Sequence, residues 1–315
     1  MEIKDMYLSI IVPAFNEAES VIDLYHEIMA TGRRLDRPFE IIFINDGSTD
    51  KTLENLRKLS PIKIINFRKN FGQTAALDAG IKAAQGRYVA ALDGDGQNNP
   101  HDILKLLEKL ERNDLDVVSG WRKHRQDPFL KKFFSRCAAV VRKLLVNDGV
   151  HDSGCTLKVY KKECFNYVDL VGEMHRFIPA LLKIKGYKIG ELEVDHRPRR
   201  TGKTKYNWKR GIKGNLDMIS IWFWKKYASR PLHLFGSFGL ALILISIVAG
   251  LLAVYGKIFN AQDLSDTALT ELSMFGFLIG VQFFVFGLLA DMLSKNYFAA
   301  TKDKVYDIKE IIENK

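Results

Sequence analysis

Two carboxylates one residue apart, Asp93 and Asp95, end the apolar run Val89-Ala-Ala-Leu92, and each is followed by a glycine. Positions i and i+2 of a strand share a face, and Gly94 and Gly96 permit a sharp turn, so the two side chains can converge on one point. Oxygen ligands of this kind suit a hard divalent cation, Mg²⁺ or Mn²⁺, which takes one or two carboxylates, keeps several waters and shares a substrate's phosphates. Gln97 could add an amide oxygen. The same residues also fit a polar turn that closes a strand.

Other chemistries lack support. His and Cys residues show no zinc-ligand spacing. Cys137, Cys155 and Cys164 form no CxxC pair and fit reduced, structural thiols. Gly202-Lys-Thr204 resembles the tail of a P-loop, but Arg197 stands where its leading glycine is required. No GxGxxG follows the first apolar run, which argues against a dinucleotide oxidoreductase.

The elements that must position these acids alternate. Leu8 to Ala14 reads as a strand and Asn16-Glu17 as the opening of a helix through about Ala30. Phe39 to Asn45 is a second strand, and Asp46-Gly-Ser-Thr-Asp50 supplies a turn and N-cap for a helix over Lys51 to Leu59. Ile62 to Phe67 with Gln73 to Ala84 repeats the pair, and Tyr88 to Leu92 is a fourth strand. Four β-then-α units predict a parallel, helix-covered α/β sheet, with ligands beyond the carboxyl ends of its strands. Further on, the pattern predicts helices over Asp102 to Arg112, Phe129 to Val146 and Met174 to Ile184. It predicts strands over Asp116 to Gly120, Thr156 to Tyr160 and Tyr187 to Asp195.

Hydrophobicity and charge divide the rest of the chain. No charged residue occurs from Pro231 to Gly256 or from Leu272 to Ala290. Both stretches are long enough to cross a bilayer, with buried core helices as the alternative. Lys225, Lys226 and Arg230 precede the first span, Lys295, Lys302 and Lys304 follow the second, and the connecting loop is acidic. The positive-inside rule then places the catalytic domain and both termini in the cytoplasm of an integral membrane protein, with no signal peptide at Met1 to Tyr7. Net charge is +10, concentrated in 122–143 and 196–230. Because the second segment adjoins a span, the expected partners are lipid headgroups or a phosphorylated lipid rather than nucleic acid. Aromatic and basic residues over 206–230 suit interfacial helices. The expected organisation is a catalytic domain over 1–205, juxtamembrane helices over 206–230, two spans over 231–295 and a cytoplasmic tail over 296–315. So little intramembrane surface also makes a homo-oligomer a candidate.

Seven motifs in order carry a resemblance. They are Val12-Pro-Ala-Phe-Asn-Glu17, Asn45-Asp-Gly-Ser-Thr-Asp50, Asn70-Phe-Gly-Gln73, Asp93-Gly-Asp-Gly-Gln97, Asp152-Ser-Gly-Cys155, His175-Arg-Phe-Ile-Pro179 and Arg199-Arg-Thr-Gly-Lys-Thr-Lys-Tyr206. The chain resembles glycosyltransferase family 2 with the GT-A fold, and within it the polyisoprenyl-phosphate glycosyltransferases. That resemblance implies that Pro13, Phe15, Glu17 and Asp46 hold the nucleotide of a sugar donor. It implies that Asp93, Asp95 and Gln97 hold the metal, and that Arg122, Ser135 and Arg136 receive the lipid phosphate. Arg199, Lys203 and Lys205 would then belong to a loop closing over the donor. Two departures stand out: Asn45-Asp46 replaces a paired aspartate, and Asp-Gly-Asp-Gly-Gln replaces Asp-Ala-Asp-Leu-Gln, which is expected to loosen the loop.

The implied reaction moves one hexose from a UDP-glucose or GDP-mannose type of donor to dolichyl or undecaprenyl phosphate. The acceptor phosphate, with a second pKa near ~6 by analogy with phosphoserine, is already mostly a dianion. Positioning therefore matters more than a general base, and direct attack opposite the leaving group inverts the anomeric centre. Asp152 either orients the acceptor or its counter-cation, or caps a turn. His175 and Arg176 either line the acceptor entrance or, for His175, serve the core. The competing readings are a processive polysaccharide synthase, which predicts a Gln-x-x-Arg-Trp motif and more spans, and a non-catalytic membrane scaffold that binds nucleotide sugars.

Overall fold

Leu8–Ala14 forms strand β1, buried along its whole length because the apolar run has no solvent face. The computed structural model describes residues 6–123, 149–198 apart from 167, 169 and 171–173, and then 222–223, 226–227, 230–260, 263–264 and 268–300. After β1 come α1 (Val21–Arg34), β2 (Phe39–Asn45), α2 (Thr52–Arg57), β3 (Lys63–Asn66), α3 (Gln73–Ala83) and β4 (Tyr88–Ala91). They are followed by α4 (Asp102–Arg112), β5 (Val117–Trp121), β6 (Lys158–Lys161), α5 (Ile178–Ile184) and β7 (Ile189–Glu193). The chain continues into α6 (Pro231–Asn260) and α7 (Ala268–Ala300).

The strands form one seven-stranded sheet in the order β3-β2-β1-β4-β6-β5-β7. β3, β2, β1 and β4 are parallel, as the four repeated units predict. β6 then runs antiparallel to both β4 and β5, so the whole sheet is mixed. Its direction has a consequence for the site. β6 begins opposite Ala91, at the end of β4, so the turn leading into it arrives at the edge where Asp93 stands.

Helices cover both faces. On one side Leu24, Tyr25 and Ile28 of α1, Leu56 of α2, and Ile103, Leu106 and Leu110 of α4 share one core with the sheet, with α4 lying against β5 and β6. On the other, Ala76, Leu77 and Ile81 of α3 pack with Ile178 and Leu182 of α5. Each fully buried Leu or Ile contributes roughly 1.5–3 kcal/mol, which holds the strand ends in place for the polar loops above them. Two predicted helices differ in extent. α1 starts at Val21 rather than Glu17, because Asn16 adopts a left-handed conformation (φ 55°). The predicted Met174–Ile184 helix is a 3₁₀ turn over Met174–Arg176 followed by α5, whose first turn contains Pro179. The predicted helix over 129–146 lies outside the described residues.

The described residues fall into two compact units that divide at Trp222. In the second, α6 and α7 pack along small residues. A Cβ on Gly239 would lie 2.6 Å from the Gly280 carbonyl oxygen, so the backbones meet where side chains are absent. Ser273 Oγ also donates to the Ser246 carbonyl at 2.7 Å. Leu244, Ile245, Leu251, Leu278 and Leu293 are exposed, which is incompatible with buried core helices. Pro231–Phe259 and Ala268–Tyr297 are candidate membrane spans by length and composition.

Candidate active site

The loops at the carboxyl edge of the sheet hold one another. Asn16 N–H donates to Ser48 Oγ (2.9 Å), while Asn16 Oδ1 accepts from Thr49 N–H (2.8 Å). Glu17 N–H donates to Thr52 Oγ1 (2.9 Å) and Ala18 N–H to Asp50 (3.2 Å). The first motif is thus clamped to the second, which explains the late start of α1. Pro13 is buried within β1, and its carbonyl accepts from Gly94 N–H at 3.2 Å; Phe15 is half-buried just beyond.

Asp46 follows β2 and is 3% exposed. Its carboxylate accepts from Phe71 N–H (2.7 Å), Gly72 N–H (3.0 Å) and Asn70 Nδ2 (2.9 Å). Burial pushes its pKa up, against the pull of the two amides. Asp46 thereby shapes the 70–72 loop that opens α3. Asn45, at the first position of the motif, instead donates to Asn66 Oδ1 (2.7 Å) inside the sheet.

Asp93 stands just past β4. Gln73 Nε2 donates to its Oδ1 at 2.6 Å and Thr156 Oγ1 to its Oδ2 at 2.8 Å. Burial, and then the charge of Asp95, push its carboxyl up to about 6. Asp95 Oδ1 accepts from Gln97 N–H (3.1 Å), and Gln97 Nε2 reaches the Arg197 carbonyl at 3.5 Å. Within the Asp-Gly-Asp-Gly turn, Gly94 is tied to its neighbours while Gly96 has open space around it. Gly94 donates to Pro13, accepts from Ser20 Oγ (2.7 Å), and a Cβ there would lie 2.8 Å from the Pro13 oxygen. Gly96 has φ 70°, where a side chain is strained.

Arg122, one residue past β5, is paired with Asp152. Nε donates to Oδ2 at 2.7 Å and Nη2 to Oδ1 at 3.1 Å, a two-pronged bond between side chains only 11% and 15% exposed. Burial works against the guanidinium charge, yet the Asp152 bonds prevail and raise its pKa. Asp152 N–H in turn donates to Glu191 Oε1 (3.0 Å), which also accepts from His151 N–H (2.8 Å). Asp152 therefore positions an arginine, a role beyond capping a turn. Asp93 follows β4 as Arg122 follows β5, and the 152–156 turn carries a partner for each, so the two clusters stand at one edge of the sheet.

Four residues here had no assigned role from the sequence: Gln73, Thr156, Lys158 and Glu191. Gln73 and Thr156 lie in or beside quoted motifs, but only the tertiary structure shows that both reach Asp93, Gln73 from the start of α3 and Thr156 from the turn before the antiparallel β6. His175 Nδ1 shares a 2.8 Å hydrogen bond with Thr74 Oγ1, beside Gln73, a contact that fits the core reading. Cys155 and Cys164 are free and buried, with thiol pKa values raised chiefly by burial; Cys137 lies outside the described residues. Ser135, Arg136, Arg199, Lys203 and Lys205 lie outside them too. The approach to the 199–205 segment is visible: Arg197 N–H donates to the Gln97 carbonyl (2.9 Å) and its guanidinium grips Glu27 (2.7 Å).

Residues 9–168, which contain Asp46, Asp93, Asp95, Arg122 and Asp152, match the family model for glycosyl transferase family 2. The chain belongs to that family. As a family 2 glycosyltransferase it carries a further match over residues 230–295, to the GtrB C-terminal hairpin, which coincides with α6 and α7. It is similar to a dodecaprenyl-phosphate galacturonate synthase of Rhizobium johnstonii, 37% identical over 99% of this chain and 95% of the relative. An undecaprenyl-phosphate 4-deoxy-4-formamido-L-arabinose transferase of Pseudomonas syringae pv. syringae is 30% identical over 98% and 91%. Among solved structures, mannosyl-3-phosphoglycerate synthase of Rubrobacter xylanophilus gives a TM-score of 0.57 at 14% identity, covering 69% of this chain and 73% of that one. Glucosyl-3-phosphoglycerate synthase of Mycobacterium tuberculosis, bound to Mn²⁺, UDP and glucosyl-3-phosphoglycerate, gives 0.54 at 17%, covering 70% and 80%. The catalytic unit of this family 2 enzyme therefore has the GT-A fold, with its acids on the carboxyl edge of a mixed sheet.

Proposed function

We propose that this glycosyltransferase moves a single sugar from a nucleotide-sugar donor to a polyprenyl phosphate on the cytoplasmic face of a membrane. The observation that carries the reading is the meeting, at one sheet edge, of the Asp93–Asp95 acid pair and the Arg122–Asp152 pair. Support for a lipid acceptor comes from the names of the relatives and from the apolar hairpin. The names of those relatives carry galacturonate, a hexuronate, and 4-deoxy-4-formamido-L-arabinose, a substituted pentose, so both classes join the hexoses among the candidate sugars.

The donor set fits a divalent cation. No cluster of three or more His, Cys, Asp or Glu forms among the described residues, yet two adjacent acids, one with its pKa raised, favour a cation that also takes phosphate and water. Asp93 and Asp95 would hold it, with the Gln97 amide oxygen a third candidate. When bound, Mg²⁺ or Mn²⁺ supplies charge neutralisation for a leaving diphosphate. The protein's own residues do the remaining work. Gln73 and Thr156 fix the Asp93 carboxylate, and Pro13, Phe15, Glu17 and the loop shaped by Asp46 border the space for a nucleotide. Arg122, aimed by Asp152, offers guanidinium N–H groups to the acceptor phosphate, with Ser135 and Arg136 as further candidates. Arg199, Lys203 and Lys205 would bring positive charge to the donor.

The test uses purified full-length protein with polyprenyl phosphate, Mg²⁺ or Mn²⁺, and radiolabelled UDP-glucose, UDP-galacturonate and GDP-mannose in parallel. One donor should yield an organic-extractable, acid-labile labelled lipid, abolished by EDTA and restored by metal. Labelled polymer would favour the polysaccharide synthase, and donor binding without transfer would favour the scaffold.

A further inference from the structure

Lys158 opens β6 between Ala91 of β4 and Ser119 of β5, in the middle of the sheet, and is 2% exposed. A buried ammonium normally requires a carboxylate partner, because water no longer compensates its charge. No carboxylate lies within ion-pair distance of it among the described residues. Its Nζ instead donates to two backbone carbonyls of the preceding turn, Ser153 O at 3.3 Å and Cys155 O. That turn is short, closed by Cys155 N–H to Asp152 O at 3.3 Å, and its two ends carry the side chains that matter. Asp152 at one end aims Arg122. Thr156 at the other holds Asp93.

A neutral apolar side chain would fill this position in the sheet at lower cost if packing were the only demand. The two carbonyls point inward, however, and would be left without donors. Burial pulls the Lys158 pKa down and Arg122 acts in the same direction, while Cys155, Asp152 and Asp93 act against it. The lysine thus sits beneath both halves of the site without touching either reacting group.

We propose that Lys158 is a positioning residue whose hydrogen bonds to Ser153 O and Cys155 O set the 152–156 turn, registering Thr156 on Asp93 and Asp152 on Arg122 together. This rests on the reading of Asp93 as a metal-holding carboxylate and names what keeps it in register with the phosphate-binding arginine.

The test titrates full-length protein with Mn²⁺ alone, reading bound metal by loss of the free-ion EPR signal, with KM for polyprenyl phosphate as the second measurement. Lys158→Met should weaken Mn²⁺ binding roughly tenfold, the usual scale for a support behind a metal ligand, and should raise the acceptor KM as well. Thr156→Val should weaken Mn²⁺ similarly but leave the acceptor KM close to wild type. The double variant should bind Mn²⁺ no more weakly than the worse single variant, since both act on one hydrogen bond; multiplied losses would overturn the route through Thr156. Should Lys158→Met fail to fold, Lys158→Gln keeps N–H donors without charge and is expected within about threefold of wild type. A tenfold loss in Lys158→Gln would overturn the turn-clamp role in favour of the charge itself. Wild-type protein that binds no Mn²⁺ would remove the proposed function and this inference together. Wild-type binding with Lys158→Met unchanged in both measurements would overturn the inference alone.

Discussion

At the amino-terminal edge of the sheet, Glu40 accepts from Ser9 Oγ (2.6 Å), from Gln85 N–H (2.6 Å) and from Lys63 Nζ (3.1 Å). At the carboxyl edge, Asp93 accepts from two neutral side chains and has Asp95 for a neighbour. Burial pushes both carboxyls toward the protonated form. For Glu40 the donors and the lysine prevail and its pKa falls, while for Asp93 the added negative charge keeps its pKa high. The amino-terminal edge is electrostatically complete: Tyr7 and Tyr88 likewise both donate to Glu111. The carboxyl edge concentrates negative charge that a bound cation would relieve. Under the proposed function, the difference separates acids that hold the fold from acids that take a ligand.

Removing a ligand-awaiting acid should have the largest effect. Asp95→Ala is expected to lower sugar transfer on the order of 10²- to 10³-fold, measured as labelled lipid formed per enzyme, with little change in the thermal midpoint. Full activity in that variant would erase the contrast between the two edges. Next comes the Arg122–Asp152 pair, which belongs to the carboxyl edge yet is internally satisfied. Asp152→Asn leaves a nearly buried guanidinium without its counter-charge and should cost roughly 3 kcal/mol in urea unfolding. A wild-type midpoint for Asp152→Asn would show the pair to be loose.

The smallest effects concern pH, and their signs are opposite. The folded pKa of Glu40 is lowered, so its stabilisation is present above the unfolded carboxylate value and is lost as pH falls through the folded one. Glu40→Gln should therefore cost about 1 kcal/mol at neutral pH, progressively less in acid, and leave transfer intact. The folded pKa of Asp93 is raised to about 6, so its ionisation in the metal-free protein costs stability as pH climbs from the unfolded value through 6. Asp93→Asn should then stabilise the metal-free protein by about 1 kcal/mol above pH 6 and have little effect near pH 4. Denaturant midpoints of both variants across that range would show whether the curves diverge.

Much of the parallel half was legible because its signals are local. Leu8–Ala14 and Phe39–Asn45 are unbroken apolar runs, and Asp102–Arg112 places Ile103, Leu106, Leu107 and Leu110 on one face. The start of α1 was not legible, since it depends on Asn16 bonding to Ser48 and Thr49, more than thirty residues away. Nor was the partner of Arg122, thirty residues distant, or the burial of Lys158, which reads in sequence as one more cation in a basic chain.

The amino-acid sequence by itself determined the alternation of strands and helices, the placing of Asp93 and Asp95 at a strand's end, and two helices apolar enough for a bilayer. Those properties follow from periodicity, turn chemistry and side-chain polarity, which act between near neighbours. Only the tertiary structure decided that β6 runs antiparallel beside β4, bringing Thr156 to Asp93, that Gln73 at the start of α3 reaches the same carboxylate, and that Asp152 aims Arg122. Strand pairing and buried charge are settled by which distant segments exclude water together, and nearest-neighbour patterns carry no record of that choice.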